Sequence, residues 1–321
     1  MSGELPSPEV DWVEVAAGVI EREDGAFLLA QRPVGKVYAG WWEFPGGKVE
    51  TGEPIEVALA RELHEELGID VDIAYPWITR THVYEHARVR LHFYRVVAWR
   101  GELQSKESQR LAWQRVPVLT VGPVLPANGP ILKALELPLE LGVTQTDGIG
   151  ERAFLDRLDR ALDRGLRFVQ VREKNLSVEA LDAFSREVVA RVHHKGGRVV
   201  VNGAVEFAST VGADGVHFTA ETLMRTAARP PTALAGASCH GVEDLARAVS
   251  LELDYVVLGP VRPTPTHQGA AGIGLGGFSR LAHALPIAVY AIGGLSLGDL
   301  PALRKAGAHG VAAIRGAWSG H

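Results

Sequence analysis

GGKVETGEPIEVALARELHEELGI, residues 46–69, decides how the first half of the chain is read. Ile55, Leu59, Leu63 and Leu67 recur at helical spacing and put one apolar stripe along a helix. TGEP marks its start and Gly68 its stop. On another face Glu62, Glu65 and Glu66 stand at i, i+3 and i+4, so three carboxylates share one side. Such a face is either solvated or neutralised by a cation, and all-oxygen donors suit a hard divalent ion, Mg²⁺ or Mn²⁺. Gly46 and Gly47 allow the backbone to approach a ligand closely. Arg61 and Glu53 are spaced to tie the preceding loop to the helix by a charge-assisted bond.

Around this helix lie strand-like segments. WVEVAAGVIERE and AFLLAQRP flank an EDG turn, and ITRTHVYE, VRLHFYRVVAW and LAWQRV follow the helix. After residue 138 the pattern changes to short apolar strands alternating with helices. Eight strand candidates are LELGVTQ, RFVQVRE, RVVVNG, ADGVHF, TALAGAS, DYVVLGP, PIAVYAIGG and GVAAI. Helices are predicted over 151–164, 177–194, 241–252 and 296–306. Eight β/α units predict a (β/α)8 barrel rather than an open doubly wound sheet. The fold class is therefore α/β with two domains, 1–130 and 139–321, and a short helical stretch between them.

The totals bound the chemistry. The chain has 321 residues and a net charge of −5, which argues against bulk attraction to nucleic acid polymers or anionic membranes. One cysteine, Cys239, excludes an intrachain disulfide and fits a reducing compartment. The first residues lack the basic start and apolar run of a signal peptide, and no stretch is long enough for a membrane span. A cytoplasmic protein acting on small molecules is expected, and an oligomer is compatible with the sequence.

The glycine loop, Glu53 and RELHEELGI together resemble the Nudix box at every defining position. The resemblance implies an N-terminal Nudix α/β/α sandwich that hydrolyses a diphosphate linked to another moiety, using Mg²⁺. It implies metal ligands at Gly46, Glu62, Glu65, Glu66 and Glu107, with Glu62 or Glu107 taking a proton from the attacking water. Arg32 and Lys48 are the implied phosphate contacts. WWEFPGGKVE, AQRP, SKESQ and LPANGPIL extend the likeness to the MutT-type branch, which removes oxidised purine nucleotides such as 8-oxo-dGTP before DNA repair is needed. In that branch an asparagine at the position of Asn128 reads the purine, since an amide both donates and accepts. EHARVRL offers Arg88 and Arg90 as further base readers.

In the second half, VQVREK places Gln170, Arg172 and Lys174 at period two at a strand end, where barrels keep their chemistry. Asn202, His217, Ser238, His240, and Gly293 with Gly294 end other strands, and the two glycines suit a phosphate cradle of backbone N–H groups. These motifs resemble thiamine phosphate synthase and its TenI-type thiazole tautomerase relative over residues 139–318. Three departures stand out. Gly203 and Thr222 occupy positions where the synthase has metal-binding aspartates, and His267 replaces its lysine. The resemblance therefore implies a barrel that binds a thiazole or thiamine phosphate without competent synthase chemistry. His240 is the acid/base candidate of a tautomerase, and a non-catalytic ligand sensor fits the same residues. With such a barrel, the N-terminal domain has an alternative role as a pyrophosphatase of thiamine-pathway diphosphates.

Overall fold

The computed structural model describes residues 12–85, 87–263 and 272–318. His267 and the rest of its TPTH motif lie outside the described residues. The chain divides between Leu132 and Lys133 into two compact units.

The first unit contains β1 (Val13–Ile20), β2 (Phe27–Gln31), β3 (Trp42–Glu43), β4 (Gly46–Lys48), α1 (Ile55–Leu67), β5 (Asp70–Val83), β6 (Arg88–Arg100) and β7 (Leu111–Gln114). A 3₁₀ turn at Pro126–Asn128 leads into α2 (Gly129–Leu135). One sheet has the order β4-β1-β6-β5 and a second β3-β2-β7. The EDG segment forms the expected turn, with Gly25 at φ 80°, but its two strands separate into different sheets. The predicted strand at 78–85 begins at Asp70 instead. Pro76 interrupts the sequence pattern there, and register shifts in the pairing with β6 absorb it. Residues 46–48 form a strand as well as a turn, pairing antiparallel with Val15–Ala17.

α1 lies where the apolar stripe predicts. Leu59, Leu63 and Leu67 are buried against Ala16, Ile20 and Val96. Gly18 of β1 has no side chain at the crossing, and Leu63 fills the space a Cβ would meet. The helix ends at Gly68 in the left-handed region, whose N–H reaches the His64 carbonyl. Leu63→Ala leaves a cavity at this contact and is expected to destabilise the unit by about 2–5 kcal/mol, measured by urea unfolding.

The second unit runs β8 (Glu140–Val143), α3 (Glu151–Asp163), β9 (Phe168–Val171), α4 (Val178–His194), β10 (Arg198–Val201), α5 (Val205–Val211), β11 (Gly215–Phe218) and α6 (Ala220–Arg225). It continues with β12 (Leu234–Cys239), α7 (Val242–Ser250), β13 (Tyr255–Leu258), α8 (Gly274–Ala282), β14 (Ala288–Ile292), α9 (Leu300–Lys305) and β15 (Gly310–Ala313). All eight predicted strands are present and close into a parallel barrel, with β15 pairing β8. The strands read as continuous apolar runs because both faces are covered. Toward the strand N-termini the interior is filled by Phe168, Tyr255 and Tyr290, whose rings meet edge-on or tilted at centroid distances of 5.3–6.1 Å. The Tyr290 hydroxyl donates to the Pro138 carbonyl at 2.5 Å, which anchors this layer to the chain entering β8. Among the described residues, no helix is long and apolar enough to cross a membrane.

Candidate functional sites

In the first unit, β4 brings Gly46 and Gly47 against α1. The Gly46 N–H donates to Glu66 Oε2 at 3.2 Å, and a Cβ on Gly47 would fall on the Glu62 carboxylate. A glycine is needed at position 47 for this close approach. Gly46 has φ 140°, and a Cβ there would meet the Ala16 carbonyl of the paired strand. The expected Arg61–Glu53 bond is present as a fork, at 3.0 Å from Nε and 2.9 Å from Nη2. The same guanidinium donates to Glu62 Oε1 at 2.9 Å and to the Lys48 carbonyl at 3.1 Å, and approaches Glu65 at 3.4 Å. Arg61 thus ties loop 48–53 to α1 and holds two of the three box glutamates.

Glu66 is the carboxylate most altered by its surroundings. Burial pushes its pKa up to about 7, and the facing carboxylates of Glu107, Glu43 and Glu62 push in the same direction. The Gly46 N–H pulls the other way without prevailing. Glu66 and Glu62 stand directly against the glycine turn, and Glu43 and Glu107 act on Glu66 through their charge. Glu43 was not singled out from the sequence. Burial raises its pKa, opposed by Arg32, whose Nη1 lies 2.6 Å from both of its oxygens.

Several expected ligands have other partners here. Arg32, expected on phosphate, is engaged by Glu43 and by the Val37 carbonyl at 2.7 Å. Glu107 pairs with Lys36 at 3.2 Å, and Glu65 is mostly exposed. Gly46 meets the cluster through its N–H. Lys48 is exposed beside the turn. Among the described residues, no group of three or more Asp, Glu, His or Cys side chains stands at metal-holding geometry. The physical reason is visible: Arg61 and Lys36 draw carboxylates toward themselves. The donor set still fits a hard divalent ion, being all oxygen, with Glu66 shifted toward its neutral form by burial and three facing carboxylates.

A pH dependence follows. Proton and cation compete for Glu66, so apparent Mg²⁺ affinity is expected to fall roughly tenfold per pH unit below about 7 and to level off above it. Without metal the sign reverses for stability. The folded state binds the proton more tightly than the unfolded chain, whose carboxyl titrates near 4.5, so stability is lost as pH rises from 4.5 toward 7. Mg²⁺ titration calorimetry and thermal melts across this window check both signs.

Asn128 is 3% exposed and closes the 3₁₀ turn, its N–H bonded to the Leu125 carbonyl at 3.0 Å. Its side-chain amide makes no hydrogen bond among the described residues. Beside this turn stands an aromatic group that sequence reading missed. The Tyr84 hydroxyl bonds the Ala127 backbone, and Tyr84 meets Tyr38 at 5.5 Å and His82 at 4.3 Å. Of the arginines proposed from the same hairpin, Arg90 pairs with Glu14 at 2.7 Å and Arg88 is exposed.

In the barrel, Gln170, Arg172, Lys174, Asn202, Ser238, His240, Gly293 and Gly294 all line one cavity of about 550 Å³ at the strand C-termini. Arg262 of GPVRPTPTH and Arg315 of AAIRG, at strand ends as the sequence suggests, line it too, and Gln145, Ser296 and Asp299 do so without having been anticipated. His240 Nδ1 lies 2.7 Å from the Gly259 carbonyl, which can only accept, so Nδ1 donates there. His217 is fully buried between the Tyr255 hydroxyl and Ser238 Oγ, each at 3.0 Å. Burial, with Arg172 nearby, lowers its pKa to about 3, so it is a neutral link between the aromatic layer and the cavity. Cys239 is buried and its thiol is pushed up to about 12, which makes it unreactive. Gly203 leaves open space, and Thr222 serves as the third residue of a helix start capped by Thr219. Neither position offers a carboxylate.

Comparison with known proteins gives a family for each unit. Residues 16–134 match the NUDIX domain, and residues 141–317, more than half of the chain, match the thiamine monophosphate synthase family. The first unit is similar to the CTP pyrophosphohydrolase of Escherichia coli, 42% identical over 122 residues, spanning 38% of this chain and 90% of that protein. It is also similar to the 8-oxo-dGTP diphosphatase of Proteus vulgaris, 42% identical over 95 residues, spanning 30% of this chain and 85% of that one. The barrel is similar to the thiamine-phosphate synthase of Azorhizobium caulinodans, 34% identical over 176 residues, spanning 54% of this chain and 83% of that one. The chain is a fusion that belongs to the Nudix hydrolases through its N-terminal unit and to the thiamine monophosphate synthase family through its C-terminal barrel.

Proposed function

We propose that the N-terminal unit hydrolyses oxidised purine nucleoside triphosphates, with 8-oxo-dGTP giving 8-oxo-dGMP and pyrophosphate. The observation that carries this reading is the glycine turn packed on α1, with the Gly46 N–H on Glu66, Gly47 against the Glu62 carboxylate and Arg61 bracing the box. Glu62, Glu65, Glu66 and Glu107, with the Gly46 carbonyl, would hold Mg²⁺ or Mn²⁺, which when bound would supply the positive charge a polyphosphate needs. Water adds across the diphosphate bond, and Glu62 or Glu107 accepts its proton. Arg61 orients Glu62 for that role, and Lys48 meets the phosphates. Asn128 reads the base edge, since its buried amide makes no hydrogen bond among the described residues, while Tyr84 bonds the backbone of this turn and packs on Tyr38. The reaction takes place in a cytoplasmic setting on small molecules.

The barrel, on this reading, binds a thiazole or thiamine phosphate and is not a competent synthase. Without carboxylates at positions 203 and 222 nothing there holds the metal that would neutralise a pyrophosphate leaving group. The place of His240 in the cavity lining, with Nδ1 held by the Gly259 carbonyl, favours a TenI-like proton transfer on a thiazole phosphate as the second reading.

A Mg²⁺-dependent hydrolysis panel of 8-oxo-dGTP, dGTP, CTP, thiamine diphosphate and a pyrimidine diphosphate tests the first unit. A preference for 8-oxo-dGTP over dGTP is expected. Equal rates overturn the oxidised-purine reading. The highest rate on CTP supports a pyrimidine nucleotide, the substrate named for the E. coli relative. The highest rate on the thiamine-pathway diphosphates supports a pyrophosphatase coupled to the barrel. Calorimetric titration with thiazole phosphate, followed by a tautomerisation assay, separates a binding module from an enzyme.

A further inference from the structure

We propose that Arg262 is a positioning residue for the phosphate end of the barrel cavity, holding the two-glycine turn open to a phosphate monoester and adding a positive charge beside it. This rests on the reading of the barrel as a phosphate-binding module. Arg262 follows β13 and lines the cavity with Gly293 and Gly294, which follow β14. Its Nη1 donates to the Gly294 carbonyl at 2.9 Å, and Nη2 donates to Asp299 Oδ1 at 2.7 Å. Its backbone N–H reaches the Gly293 carbonyl at 3.3 Å. The aliphatic stem covers Gly294: a Cβ built there would lie 3.5 Å from Arg262 Cβ and 3.8 Å from Cδ. One residue therefore grips the turn by backbone, stem and guanidinium together.

Gly293 and Gly294 have φ of 116° and 63°, a conformation that other residues adopt only with strain. Consecutive N–H groups in such a turn form an anion-binding concavity. Among the described residues, the N–H groups of Gly294 and Leu295 have no backbone partner. By taking the Gly294 carbonyl, Arg262 fixes which way that peptide faces and keeps its acceptor away from the ligand. Asp299 is the second anchor. Its Oδ2 accepts from the Ser296 N–H at 2.9 Å, so the carboxylate links Arg262 to the far end of the same turn. That carboxylate only partly offsets the cations around the cavity, where Arg172, Lys174 and Arg315 also stand. The fork donates twice in a plane, and a lysine cannot reproduce it.

The test is calorimetric titration of the full chain with thiazole phosphate, the corresponding thiazole alcohol and inorganic phosphate, for wild type, Arg262→Gln and Arg262→Lys. Arg262→Gln is expected to weaken thiazole phosphate and inorganic phosphate by about tenfold while leaving the alcohol unchanged. Arg262→Lys is expected to restore only part of the loss. Equal weakening of phosphate and alcohol assigns Arg262 a general structural role and overturns the proposal. Unchanged phosphate affinity in Arg262→Gln overturns it as well. Failure of the wild type to bind any of the three compounds overturns the phosphate-binding reading of the barrel itself, a distinct result. Thermal melts of each variant separate loss of binding from loss of fold.

Discussion

Glu66→Gln is expected to lower kcat for nucleotide hydrolysis by about a thousandfold or more while leaving the fold intact. Glutamine keeps the length of the side chain and an oxygen for the Gly46 N–H, so the β4–α1 contact survives. What it removes is the negative charge of Glu66, one of the carboxylates proposed to hold the cation. Because burial already disfavours that charge in the metal-free protein, the amide is expected to melt no lower than wild type at pH 8 without metal. Mg²⁺ should raise the melting temperature of wild type and fail to raise that of the variant. Activity within tenfold of wild type would remove Glu66 from the metal set. A large drop in melting temperature would instead show that its carboxyl holds the fold.

Asn128→Ala is the second large effect, and it is one of selectivity. The preference for 8-oxo-dGTP over dGTP is expected to fall by about 10–100-fold, because a buried amide that pairs with one base edge leaves the wrong edge unpaired. The maximal rate on the better substrate should change far less, since Asn128 lies in the turn before α2 and the carboxylates lie on α1 and its surrounding loops. Asn128 also closes the 3₁₀ turn through its backbone, which alanine preserves. A ratio that stays within threefold of wild type would reduce Asn128 to a turn residue. Steady-state kinetics on the two nucleotides decide between these outcomes.

The fold was largely legible because both units repeat strong periodic signals. The apolar stripe of α1 and the eight apolar strands of the barrel each announce themselves within a few residues. β3 and β4 did not, because two or three residues carry no period and their pairing depends on a distant strand. The front half of β5 was hidden by Pro76, which breaks the local pattern but is absorbed by register shifts with β6. Sites show the same division. The glutamates of α1 were visible by spacing along one helix. Glu43 was not, since only folding sets it beside Glu66. The Tyr255–His217–Ser238 chain crosses three neighbouring strands, and the Arg262–Asp299 fork joins residues 37 apart. The engagement of Arg32 with Glu43 was likewise beyond sequence spacing, since either partner alone reads as a surface charge.

The ring of Phe168, Tyr255 and Tyr290 has a kinetic meaning. With one end stoppered by these rings, the barrel is a blind alley whose occupant leaves by the mouth through which it came. Release and arrival then share one doorway, so a spent ligand must clear it before a fresh one gains access. Any product formed in the barrel would therefore compete with fresh substrate for the same mouth.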